Sequence, residues 1–411
     1  MEKYALSTAS KAFALFAFIF LLGLAACQKD KPVINLADDS HDTENFQYLF
    51  NMTPRRISDC KFSDLPTGGF VLAGEYGIKK ELKIIRLAES KEVLVETNYD
   101  YFTALEVNFS FVNHSGKVLT GGAMEVYTKS RQALLLLEEP STGAVSWLNG
   151  FGGAGVEKGY DATEASTGGY LLTGSVGDSM LVIRVDDEGQ EIWTRHYGSA
   201  SGISSPAPRG IKIIEVADGD FVILIEEKNG ILNIRYQLAK IDPDGHLIWH
   251  KTYDFPIYRG AQPYIMEASD QTVMLVTSVN RNEDPLSDED ILLVKIGAEG
   301  EVIWTRQYGG TVYNDGAEFV GEADNGDFIL IGDTSSFGHG NQDIYVIRTD
   351  PNGERLWHKT YGDQRYQAVI GATQRSDGGF WILGLSETAG SADFYDYGYF
   401  ILAVNGDGTP N

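Results

Sequence analysis

Three carboxylates stand in irregular stretches of an otherwise strongly patterned chain: Asp315 in GGTVYNDG, Asp343 in GHGNQDIY and Asp363 in YGDQRY. Two carboxyl groups held at a set distance can hydrolyse a glycosidic bond, one as acid and the other as base or nucleophile. The same stretches and those before them carry Tyr258, Arg259, Tyr264, Tyr313, Phe337, Arg365 and Tyr366. Tyrosine and arginine dominate binding hot spots, because each joins a large contact area to a polar end. These seven residues with Asp315 form the candidate ligand-binding surface. No residue is assigned a catalytic role, since spacing alone pairs none of the carboxylates.

Other chemistries find no support. None of the seven histidines belongs to a ligand-spaced cluster; His246 and His250 are four apart, but on a strand and turn rather than a helix. No nucleophile elbow, phosphate loop or dinucleotide fingerprint occurs. The Asp-x-x-Gly turns lack the alternating acids and distal glutamate of a calcium loop. No metal and no cofactor are expected. The net charge of −25 repels phosphate backbones, so nucleic acid is not an expected partner.

The elements that hold these stretches are repeats. TDPNGERLWHKTYG at 349–362 has near-copies at 240–254, 184–198 and 295–309. An apolar residue after a tight turn marks the period: Phe70, Val118, Tyr170, Phe221, Val273, Phe328 and Phe380, seven units of roughly 50 residues. Each unit reads as a mixed strand, a glycine turn, a short apolar strand such as FILIG, a variable loop, a third apolar strand such as YVIRTD, a second tight turn, and a strand carrying tryptophan. A tryptophan lies four residues after each of the turn glycines 143, 189, 245, 300 and 353, and another aromatic four further on. Even spacing puts both on one face of a strand. Arg195, Lys251, Arg306 and Lys359 fall between them on that face, and are expected to stack against the next unit with cation–π contacts.

Seven such units resemble the β-propeller, so the fold predicted is all-β: seven four-stranded blades. The last unit ends without its fourth strand, and Phe46 and Phe50 carry the missing pattern. Residues 45–51 are predicted to close the ring and remove an unpaired edge. Residues 45–411 then form one propeller. Function is expected on the face with the long, unequal loops.

The N-terminus has Lys3 and Lys11 ahead of an apolar run from Ala12 to Ala26, too short for a membrane span of about 20 residues. Its end, Leu24-Ala25-Ala26-Cys27, resembles the lipobox of bacterial lipoproteins. That resemblance implies a signal peptide over 1–26, lipidation of Cys27, a polar tether over 27–44, and an outer-membrane place in the cell envelope. Cys60 is then the only thiol, expected to be buried and inert.

The propeller units are similar to repeats of Bacteroidetes lipoproteins, best seen in FILIGDTSSFGHGNQDIYVIRTDPNGERLWHKTYG. The turns also resemble sialidase Asp-boxes and the tryptophan-docking turns of quinoproteins, but Asp, Gly and Trp are spaced differently here. Blades one and two depart most, with Val95 where tryptophan is expected. The resemblance implies the fold and an envelope location and little about the ligand; the function expected is that of a non-catalytic binding or scaffold module for a glycan or an envelope protein. The alternative is a glycan-processing enzyme, a glycosidase or lyase, using carboxylates of the loop face.

Overall fold

The computed structural model describes residues 47–410, except 51–56, 67, 77–80, 91, 101, 103, 127–128, 154, 199–200, 202, 204–206, 230–232, 259, 282–287, 312, 376 and 388–396. The described residues form seven four-stranded antiparallel sheets. The innermost strands touch their neighbours in order around a ring, and that of the first blade, Ile57–Asp64, meets that of the seventh, Gln367–Gln374. The chain is a seven-bladed β-propeller, as the repeat predicts.

Ring closure also follows the prediction. Gln47–Phe50 pairs antiparallel with Tyr397–Val404 and becomes the outer strand of the seventh blade. Gln47 lies opposite Ile401 and Phe50 opposite Tyr399, so the closing strand starts at the end where the tight turns lie.

The tight turns obey local chemistry. In Asp350-Pro-Asn-Gly-Glu354 the Asp350 carboxylate accepts the amides of Asn352 at 2.9 Å and Glu354 at 2.8 Å, which holds it ionised below its ordinary range. Asp242 does the same for Asp244 and His246. Gly353 and Gly245 sit at φ +78° and +81°, a region other residues enter only under strain.

These turn glycines also seat the preceding blade. A Cβ on Gly353 would lie 2.9 Å from the Trp304 ring, and one on Gly245 would lie 3.0 Å from Trp193. The expected cation–π contacts take a different form. Arg195, Arg306 and Lys359 hold their charges over the tryptophan of their own strand, at 5.7, 5.4 and 5.5 Å. Their aliphatic stems press on the next blade's turn glycines, and their charged ends reach the same turns, Arg195 and Lys359 donating to the carbonyls of Asp244 and Asp407 and Arg306 pairing with Glu354. The side chains run along the strand, so the nearest ring is two residues away on the same face.

A second glycine positions the inner strands. Gly122, Gly174 and Gly332 each face a backbone carbonyl, of Glu106, Lys158 and Gly316, that a Cβ would approach within 2.0 Å. Beside each, the inner strand gains an extra residue: Asn108, Tyr160 and Glu318. Such bulges re-aim side chains; here Asn108 donates to the carbonyl of Gly159 in the next blade, and the Arg209 guanidinium lies over the Tyr160 ring. Cys60 is buried with 4% exposure, and burial pushes its thiol up to about 12.

Candidate functional site

The inter-blade loops and the second-to-third loops share one end of the ring, opposite the tight turns. Several candidate residues turn out to brace these loops. Asp315 is 0% exposed. It accepts the amide of Gly310 at 2.7 Å, the hydroxyl of Ser336 at 2.6 Å and that of Thr334. Glu157 and Gln367 hold the same place in other blades, accepting the amides of Gly153 and Asp363. The recurrence of Tyr/Phe-Gly before each of them was readable in the sequence. Asp343 is 1% exposed and accepts the amides of His339 and Gly340. Asp363 is held below the ordinary carboxylate range, against the cost of partial burial, by Arg365, which chelates it. The three carboxylates offered for acid–base work are therefore loop fasteners, and Arg365 is tied to one of them.

Aromatic candidates divide likewise. Phe337 packs on Tyr345 at 5.4 Å and against His358 at 4.9 Å, inside its own blade. Tyr264 belongs to the inner strand Tyr264–Glu267; its ring lies on Phe319 at 5.0 Å, with the Lys212 ammonium 5.9 Å from its centroid. It is wall, not rim, and burial pushes its phenol up to about 12. Tyr313 gives its carbonyl to Arg281 and Ser336. Tyr366 takes a long hydrogen bond from Gln342. Arg259 lies outside the described residues, as does Cys27.

Tyr258 alone of the set lines a cleft, of about 90 Å³, where the fifth and sixth blades meet at the axis. Opposite it stand three carboxyl groups that sequence reasoning missed: Glu289, Glu318 and Asp333. Glu289 opens the third strand of the fifth blade, Glu318 is the bulged residue of the sixth blade's inner strand, and Asp333 lies near the end of its second strand. Gln262, Ser278, Asn314 and Gln342 complete the polar lining.

Electrostatics set these acids apart. Burial raises Glu318 to about 7; the Lys61 ammonium opposes this and Glu289 adds to it. Burial likewise raises Glu289 to about 7; Ser278 hydrogen-bonds it, while Asp315 and Asp290 repel its charge. Asp333 stands well above the ordinary range through burial and the charge of Glu318, despite accepting the Val369 amide at 2.7 Å. None of the three has a salt-bridge partner within 4.0 Å among the described residues, and Glu318 has no hydrogen bond either. Perturbed acids gathered in a cleft are the usual mark of a functional site. Nothing in the repeat grammar pointed to them.

No protein-family model matches the chain, and no curated protein matches it. Among solved structures, an α-L-arabinanase from Penicillium chrysogenum complexed with arabinobiose is 10% identical, with TM-score 0.48, over 87% of this chain and 97% of that one. The quinohemoprotein alcohol dehydrogenase of Comamonas testosteroni is 10% identical, with TM-score 0.46, over 87% and 76%. A subtype N10 neuraminidase-like protein of A/little yellow-shouldered bat/Guatemala/060/2010 is 8% identical, with TM-score 0.40, over 89% and 99%. Likeness at this level carries no activity to the chain.

Proposed function

We propose that this propeller is a non-catalytic binding or scaffold module of the bacterial cell envelope, anchored by lipid on Cys27 in the outer membrane and taking a glycan or an envelope protein on its loop face. The observation that carries the reading is the cleft: Tyr258 and three carboxamide side chains surround carboxyl groups that have no ion-pair partner within 4.0 Å among the described residues, while Asp315, Asp343 and Asp363 are spent on bracing loops. The closing strand supports the geometry. Its first residue, Gln47, stands at the tight-turn end of the ring, opposite the loop face. An anchored propeller would then hold the cleft toward its partners.

The test is photo-crosslinking in the native envelope, with the reactive group at position 258 and a control at 117 on the opposite turns. A discrete adduct from 258 alone supports the scaffold reading and names the partner. Absence of any adduct, together with no binding to a glycan array, overturns it.

A second reading, glycan hydrolysis or elimination, draws on one observation. Glu289 and Glu318 are raised to about 7, where a carboxyl can act as a general acid. Turnover of envelope glycan that Glu318→Gln abolishes would establish it.

A further inference from the structure

The outer strand of each blade is a sheet edge, and the chain guards most of these edges with charge. An open edge offers unpaired amides and carbonyls to any other strand, and a charged side chain on it discourages pairing. Among the outer strands seven residues long, Val93–Tyr99 carries Glu96, Glu191–Tyr197 carries Arg195, Leu247–Tyr253 carries Lys251, Val302–Tyr308 carries Arg306 and Arg355–Tyr361 carries Lys359. Val145–Phe151 of the second blade, VSWLNGF, has no charged side chain and no histidine. The closing strand Gln47–Phe50 is also uncharged, but it has only four residues and a break in register.

Both faces of Val145–Phe151 are already taken. Trp147 Nε1 donates to the carbonyl of Asp187 at 2.9 Å and Asn149 Nδ2 to that of Gly189 at 2.8 Å, both in the third blade's turn. Leu148 packs on the other side, against the core shared by the first two blades. What stays open is the edge. The strand is the last of its sheet, and among the described residues its main chain pairs only with Lys129–Glu138. Val145 is 43% exposed. The charges beside the strand are engaged elsewhere. Glu138, opposite Val145, is buried against Arg86; Lys117 pairs with Glu139 at 2.8 Å; the Asp187 carboxylate accepts the Gly169 amide at 2.6 Å.

We propose that Val145–Phe151 is a self-pairing edge, which takes the same strand of a second copy, antiparallel about a two-fold axis, and joins two second blades into one eight-stranded sheet. Charge is the reason for a second copy. At −25 each, two copies repel, and they meet most readily where the touching surface is neutral. A two-fold axis sets like residues against like, so a charge near the middle of the strand would face its own copy. Among the described outer strands of full length, this one alone avoids that. Seven residues span roughly 24 Å. Edge pairing over that length buries less than the roughly 1,000 Å² of a lasting interface, so the dimer is weak and depends on concentration. Salt gives it a signature. Screening lowers the repulsion between copies and leaves main-chain hydrogen bonds intact, so the dimer tightens as salt is added, whereas a contact held by ion pairs would loosen.

The experiment is sedimentation of the mature chain, with Cys27→Ser to keep lipid and detergent out of the measurement, at up to about 0.5 mM protein in roughly 0.05 M and 0.5 M sodium chloride. The expected result is a monomer–dimer equilibrium that shifts toward dimer in the higher salt. Leu148→Lys, at the middle of the strand, should weaken it about tenfold or more. Because Leu148 also packs on the core, Val145→Lys, at an exposed position, serves as the second variant and should weaken the dimer with an unaltered melting curve. Thr305→Lys, at the place of Leu148 in the fifth blade, should change nothing. A monomer at every concentration in both salts overturns the proposal, as does a dimer that Val145→Lys and Leu148→Lys leave unchanged. Crosslinking from position 145 in the native envelope decides the occupant: a product of twice the chain's mass supports a second copy, and a different protein on this strand rules it out.

Discussion

The hydroxyl of Tyr308 donates a 2.7 Å hydrogen bond to the carbonyl of Gly353, in the tight turn of the next blade. Tyr197 to Gly245 and Tyr253 to Gly300 repeat it at 2.7 and 2.8 Å, and Tyr361 bonds Gly408. Each turn glycine is thus held by a tyrosine hydroxyl and covered by the tryptophan four residues before that tyrosine. Tyr308→Phe should cost about 0.5–1.5 kcal/mol, the net value of one buried hydrogen bond. Gly353→Ala should cost more, roughly 2–4 kcal/mol, since it combines positive φ with a clash on Trp304. Urea denaturation of both variants measures the difference, and equal midpoints would refute the clamp.

Where blade one lacks tryptophan, a buried charge pair bridges it to blade two. Arg86 and Glu138 form an ion pair with side chains 1% and 0% exposed, and Tyr99 donates to the same carboxylate. Removing one partner, as in Arg86→Met, should cost about 3–5 kcal/mol by leaving a buried charge. The double variant Arg86→Met/Glu138→Leu should recover much of that loss. A double variant as unstable as the single would show that the pair itself holds the junction.

Stability should depend on the cleft acids. Glu289 and Glu318 are raised from 4.5 to about 7, so between these values the folded chain holds protons that the unfolded chain has released. This contribution to stability is present below about 4.5 and lost as pH rises through 7. Glu318→Gln should therefore melt above the parent at pH 8, with the gap closing toward pH 4. A gap that is constant across this range would contradict the assignment.

Cys60 should resist chemistry. Its thiol is buried, with its pKa pushed up to about 12, so almost no thiolate exists at neutral pH. An alkylating reagent should label it only as fast as the chain unfolds, and stoichiometrically in denaturant. Rapid labelling of the native chain would show that the first blade's inner strand opens.

Much of the fold was legible because its rules are local. Asp350, Gly353, Trp357 and Tyr361 lie within one turn and one strand, and even spacing places the aromatics together without knowledge of the rest. The closing strand was legible through Phe50, whose spacing copies that of other blades. Asp315 and Tyr264 misled for a shared reason. Both look exposed in irregular sequence, yet one is the loop brace that follows Tyr-Gly and the other starts an inner strand whose side chains meet at the axis.

By itself the sequence determined the seven units, the turn chemistry, the tryptophan seats and the closure of the ring, because each depends on residues close in the chain or on a repeated spacing. Only the tertiary structure decided the site. Glu289 and Glu318 lie on neighbouring blades, and Glu318 reaches the cleft as the extra residue of a bulge that Gly332 makes room for. A bulge shifts side-chain direction by one residue, and blade-to-blade packing sets which carboxyls then meet. Neither leaves a mark in the period of the sequence.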